Sequence, residues 1–181
     1  LALRKELNAA LGDDSVTLND LLVKAAALAM KATPGVNASW LGSSVRVYDR
    51  CDVNVVAGVG DGLVAPVVKD VGALGLKALS DDIRAKVESA ESGTLRPEDC
   101  AIGTFSIVNL GMYGVKSASP IVTEPQAAVL ALGAAAERVL PNEDPHADEI
   151  YRMATMLTAT CSFDHRVVDG AVGAQWLAAY K

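Results

Sequence analysis

The residues best equipped for chemistry lie in the segment from Cys161 to Ala171. There His165 stands four positions before Asp169 and directly after a long run of β-type residues. An imidazole titrates near neutral pH, so a histidine on a fixed loop can take the proton of a weak nucleophile. An acid just beyond it can help to hold that loop. The His-x-x-x-Asp spacing also fits ordinary surface neighbours, so the surrounding chain has to decide between the two readings.

Other chemistries have little support. Cys51, Cys100 and Cys161 are odd in number, widely spaced and without a CxxC pair. That argues against a disulfide framework or zinc cluster and for a reducing compartment. Cys161 reads as packing rather than as a nucleophile. His146, the second histidine, sits in the acidic stretch 142–149, which reads as a solvated loop, so no metal site is expected. A net charge of -6 and a pI near 4.9, with scattered basic residues, argue against a nucleic-acid surface. No run of about eighteen apolar residues is present to span a bilayer, and neither GxGxxG nor GxxxxGK[ST] occurs.

The elements that must position His165 follow from periodicity. An opening helix runs toward Gly12, and Thr17 with Asp20 forms a capping box before a second helix that stops at Pro34-Gly35. In that helix Leu21, Leu22, Ala25, Leu28 and Ala29 read as the inner face and Lys24 as an outer residue. Val45, Val47, Val53 and Val55 alternate as in an antiparallel strand. Gly60-Asp61-Gly62 turns it into a second strand, Leu63 to Lys69, which Pro66 makes irregular. Leu76, Leu79, Ile83 and Val87 mark a third helix stopped by Gly93. Strands are expected over Thr104–Asn109, Ala127–Leu132 and Ala154–Phe163, with a terminal helix starting at Asp169-Gly170. Trp40 and Trp176 read as core or interface anchors. The 181 residues, 51% hydrophobic, suit one α/β (α+β) domain, a mixed sheet covered by helices in two layers.

Four ordered stretches then resemble one family. They are Leu18–Ala25 with Val36–Trp40, Gly62–Lys69, Gly103–Gly114, and Asp164–Leu177 around His165. They are similar to the dihydrolipoamide acyltransferases, the core-forming subunits of 2-oxo acid dehydrogenase complexes, and most like the acetyltransferase of the pyruvate complex. The resemblance covers nearly all of residues 1–181. It identifies them as a single acyltransferase catalytic domain, a fragment truncated at both ends.

The resemblance implies a chloramphenicol-acetyltransferase-like fold that forms trimers, packed into cubic or icosahedral cores. It implies acetyl transfer between the lipoyl group of a separate lipoyl domain and coenzyme A, with no metal. Peripheral decarboxylase and dihydrolipoamide dehydrogenase subunits are the implied partners, and the mitochondrial matrix the implied location. His165 matches the base that deprotonates the thiol, and Asp169 the acid that holds its loop. Arg166 and Asp164 stand as structural ion-pairing or solvated residues. Asn109, Leu110, Gly111 and Met112 are implied to line the substrate channel. One position departs from the pattern. The family's oxyanion-donating serine is here Val108, and Ser106, two residues away on the same strand face, stands roughly 6.5–7 Å along. A catalytically weak or architectural core subunit is therefore the alternative reading.

Overall fold

The computed structural model describes residues 1–11, 15–60, 62–142 and 150–181. Gly12, the Asp13-Asp14 turn, Asp61 and His146 lie outside the described residues. Among the described residues there are four α-helices: α1 (Ala2–Leu11), α2 (Leu18–Ala32), α3 (Leu76–Glu91) and α4 (Gly170–Tyr180). The ten described strands are β1 (Ala38–Trp40), β2 (Val45–Val47), β3 (Val53–Val59), β4 (Gly62–Val64), β5 (Val67–Val68), β6 (Phe105–Asn109), β7 (Ala128–Leu132), β8 (Ala136–Pro141), β9 (Tyr151–Met156) and β10 (Ala159–Phe163).

The main sheet runs β10-β7-β6-β3, with β4 and β5 both pairing β3. β3, β6 and β7 are mutually parallel, and β10 returns antiparallel to β7. α3 makes the crossover between β3 and β6, as parallel strands require. Strand alternation gives the sheet two different faces. Val53, Phe105, Ile107 and Leu130 point to the helical side, where they pack with Leu79 of α3 and Trp176 of α4 in a closed core. Trp176 is fully buried, with ring centroids 5.5 Å from Phe105 and 6.3 Å from Phe163. A side chain at Gly173 would meet the Phe163 ring at 2.9 Å, so glycine lets α4 approach β10.

The capping box of α2 forms as expected. Thr17 N donates to Asp20 Oδ2 at 2.8 Å, and Asp20 N donates to Thr17 Oγ1 at 3.2 Å. Ser80 of α3 donates to the same carboxylate at 2.8 Å, fastening α2 to α3.

Several expectations need correcting. The inner face of α2 is Asp20, Val23, Ala26, Ala27, Ala29 and Met30, while Leu28 is 50% exposed. Counting the largest apolar residues picked the wrong stripe, because close helix-to-sheet packing selects alanine. Lys24 is half-buried: its ammonium donates to the carbonyls of Val71, Gly72 and Leu74 at 2.6–3.1 Å, and burial lowers its pKa. Val45–Val47 is a separate exposed strand paired with β1, not the start of β3. The stretch Ala154–Phe163 is two strands, broken at Leu157-Thr158 where no glycine or proline marks the break. β9 pairs with β8, an exposed strand that the periodicity did not single out.

Candidate functional site

The face of the sheet opposite the helices carries a groove of about 470 Å³. Register dictates its floor. Asn54, Ser106 and Val129 form one row across β3, β6 and β7, and Val56, Val108 and Ala131 form the next. Side chains of paired residues share a face, so these six face the groove together, and all six line it. Its walls come from the segments around Ile102 and Ile121, and Leu110 continues the floor beyond Val108. The lining is mostly apolar.

Below one end runs a buried polar network. Asn54 Nδ2 donates to the carbonyls of Ala65 (2.8 Å) and Ala101 (3.1 Å), and Asn54 Oδ1 accepts from Gly103 N (2.6 Å). Gln126 Nε2 donates to Asn54 Oδ1 (3.0 Å) and to the Gly103 carbonyl (3.1 Å). Ser106 Oγ donates to Gln126 Oε1 at 2.6 Å. A side chain at Gly103 would strike the Asp52 carbonyl, so glycine is required at this junction. Neither Asn54 nor Gln126 was expected to belong to a site. They are far apart in sequence, and only the pairing of β3 with β6 and β7 brings them together.

Val108 lies on the groove floor and offers no proton to an oxyanion. Asn109 points to the other side, where it lines a separate recess of about 320 Å³ with Gly111 and Met112. Its amide is occupied: Nδ2 donates to Asn19 Oδ1 at 3.2 Å and Oδ1 accepts from Gly111 N at 2.9 Å. Of the four residues expected along one channel wall, Leu110 alone shares the groove with Val108, because Asn109 faces the opposite side of the strand and Gly111 and Met112 lie in the turn that follows it.

His165 sits on the turn between β10 and α4, exposed, and its side chain makes no hydrogen bond among the described residues. The turn itself is braced. Asp164 N donates to the Ala127 carbonyl at 2.8 Å, and the Asp164 carbonyl accepts from Val167 N and Val168 N, both at 2.9 Å. The Asp164 carboxylate takes Arg166 in a forked pair, Nη2 to Oδ2 at 2.7 Å, and Nη2 also reaches Glu124 Oε1 at 2.8 Å. The hydrogen bond from Arg166 holds the Asp164 carboxyl below its ordinary pKa. Val168 is buried and Asp169 caps α4 by accepting from Val172 N at 2.8 Å. This loop thus projects a free imidazole from a rigid base. Cys161, beside it on β10, is pushed up to about 12 by burial and is no nucleophile near neutrality.

His165 and Val108 of one chain lie far apart. Val108, Ala131 and Thr160 share a row, whereas Asp164 is level with Ala127. Four residues of rise and two strand spacings put Asp164 about 16 Å from Val108. An imidazole on the next residue cannot bridge that span.

The family model for 2-oxoacid dehydrogenases acyltransferase (catalytic domain) matches residues 1–181. The chain belongs to this family. It is 42% identical, over its whole length, to the dihydrolipoyllysine-residue acetyltransferase component of the Dictyostelium discoideum mitochondrial pyruvate dehydrogenase complex, of which it covers 28%. It is 38% identical over its whole length to the corresponding Zymomonas mobilis component and covers 40% of it. The chain thus spans well under half of these relatives. Among solved structures, a dihydrolipoamide acetyltransferase of Azotobacter vinelandii superposes with TM-score 0.88 at 27% identity, covering 99% of this chain and 73% of that one. That structure addressed the role of a serine, a histidine and an asparagine in the catalytic mechanism, the asparagine four residues past the histidine. A chloramphenicol acetyltransferase superposes with TM-score 0.57 at 12% identity over 98% of this chain and 80% of that one, a likeness of fold. The acyltransferase family therefore accounts for the mixed sheet and its helical cover. No group of three or more potential metal ligands occurs among the described residues, and no described helix is long and apolar enough to cross a membrane.

Proposed function

We propose that this chain is the catalytic core of an acetyltransferase that exchanges an acetyl group between the lipoyl arm of a lipoyl domain and coenzyme A. His165 is the general base and the Val108 groove of a second copy holds the thioester. The observation that carries the reading is the complementarity of two halves in one chain: an exposed, braced imidazole, and an apolar groove whose floor at Val108 lies about 16 Å from Asp164, the residue before that imidazole. Neither half is a site by itself. Trimers built into a larger core, with decarboxylase and dihydrolipoamide dehydrogenase partners, extend the same reading. So does a mitochondrial location, that of the Dictyostelium and Arabidopsis relatives; similar components also occur in Rickettsia and Zymomonas.

In the forward step His165 takes the proton of the coenzyme A thiol. The thiolate attacks the acetyl-lipoyl carbonyl, and the tetrahedral oxyanion collapses as the dihydrolipoyl sulfur leaves with that proton. Base assistance of this kind is worth about 10²–10⁴ in rate. Asp169 acts at one remove, by fixing the start of α4. The oxyanion is the weak point. A missing donor costs about 10²–10³ in turnover, and Ser106 cannot stand in, because its proton is committed to Gln126.

That commitment also favours a second reading, a core subunit that retains the architecture with little turnover. Acetyl transfer between dihydrolipoamide and coenzyme A separates the two. On the enzymatic reading Val108→Ser raises turnover roughly a hundredfold and His165→Ala abolishes the gain. Background rates throughout, unmoved by either change, establish the architectural reading.

A further inference from the structure

We infer that Ser106 is a positioning residue which accepts a hydrogen bond from the amide N–H next to the thiol of coenzyme A. The inference rests on the part of the proposed function that has coenzyme A enter the groove, and it names the end that receives the cysteamine amide. It follows from the direction of the hydrogen bonds beneath the floor. Backbone groups have fixed polarity: Gly103 N can only donate, and the carbonyls of Gly103, Ala65 and Ala101 can only accept. Asn54 must therefore turn its oxygen to Gly103 N and its nitrogen to Ala65 and Ala101. Gln126 must turn its nitrogen to the Gly103 carbonyl. Its oxygen is then left facing Ser106, and the Ser106 proton has one destination, Gln126 Oε1.

A hydroxyl that has spent its proton presents lone pairs alone. Ser106 is half-buried and lines the groove, so what it offers a ligand there is an acceptor. It stands about 6.6 Å from Val108 along β6. An acyl cysteamine, the reactive end of acetyl-coenzyme A, spans about 5 Å from thioester oxygen to amide nitrogen when extended. A hydrogen bond at the amide end takes up the difference. With the thioester over Val108, the cysteamine N–H falls at Ser106. The amide of lipoyllysine follows a much longer hydrocarbon chain and lies outside this span.

The test compares coenzyme A with an analogue in which the amide beside the thiol is an ester, binding each to the assembled protein by calorimetry. The unmodified protein binds coenzyme A about five- to tenfold more tightly than the ester analogue, the worth of one ordinary hydrogen bond. Ser106→Ala removes that preference and Ser106→Thr retains it. A general structural role for Ser106 would weaken both ligands alike. Equal affinities in the unmodified protein, or an undiminished preference in Ser106→Ala, overturn the assignment. The ligand-side comparison needs no variant, so an unstable Ser106→Ala does not remove the test. Discrimination without any acetyl transfer sinks the transfer reading and supports this one, whereas transfer without discrimination sinks this one alone.

Discussion

The free thiols differ in reach. Burial pushes Cys51 and Cys161 up to about 12, whereas Cys100 is exposed at the groove wall. An alkylating reagent at pH 8 should label Cys100 first, and the other two only on unfolding; mass spectrometry of the native protein checks this. Asp164 makes a second residue-scale case. The Arg166 hydrogen bond lowers its folded-state pKa, so the pair contributes stability above the unfolded value of 3.8 that fades as pH falls through the lowered value. Arg166→Gln should bring the Asp164 titration back up toward 3.8 in a carbon-detected NMR experiment. The turn that carries His165 was partly legible in its motif: Asp164, Arg166, Val168 and Asp169 are local, whereas Ala127 and Glu124, which also brace it, are not. Val108 as a departure was legible from a local motif too. The Ser106–Gln126 bond was not, because its partners meet only across β6 and β7.

At the scale of elements, termini were easier to read than faces. Thr17 and Asp20 announce α2 through a contact within one turn, and Asp169 announces α4 likewise. Asp169→Ala should cost about 1 kcal/mol through loss of the cap, measured by denaturant unfolding. It should also lower acetyl transfer without abolishing it, since His165 remains. Trp176→Ala, by contrast, empties the centre of the aromatic cluster and should cost about 3–5 kcal/mol. The inner face of α2 was misread because hydrophobicity alone ranks leucine over alanine, while the distance between helix and sheet decides which fits. β8 escaped notice for a related reason: it buries no face and so carries no alternation. Its exposed partner β9, with Tyr151 and Met153 both 62% exposed, continued the β-type run that hid the break before β10.

For the whole molecule, the sheet does two jobs on two faces. One closes on α2, α3 and α4, and the other stays open as the groove. The helices are local and periodic, so the closed face was largely legible in the sequence. The groove draws on β3, β6, β7 and the segments around Ile102 and Ile121, and only tertiary pairing assembles it. The same sheet sets His165 at one end and Val108 toward the other, so acetyl transfer at this groove would need the histidine of a second copy. Complementation measures this directly. Subunits carrying His165→Ala with Val108→Ser keep a usable groove but lack the base, while subunits carrying Val108→Trp keep the base and block their groove. Each alone should be inactive in acetyl transfer. Co-assembled, the two should recover a substantial fraction of the Val108→Ser activity; no recovery would mean that each histidine serves its own chain's groove and would contradict the account.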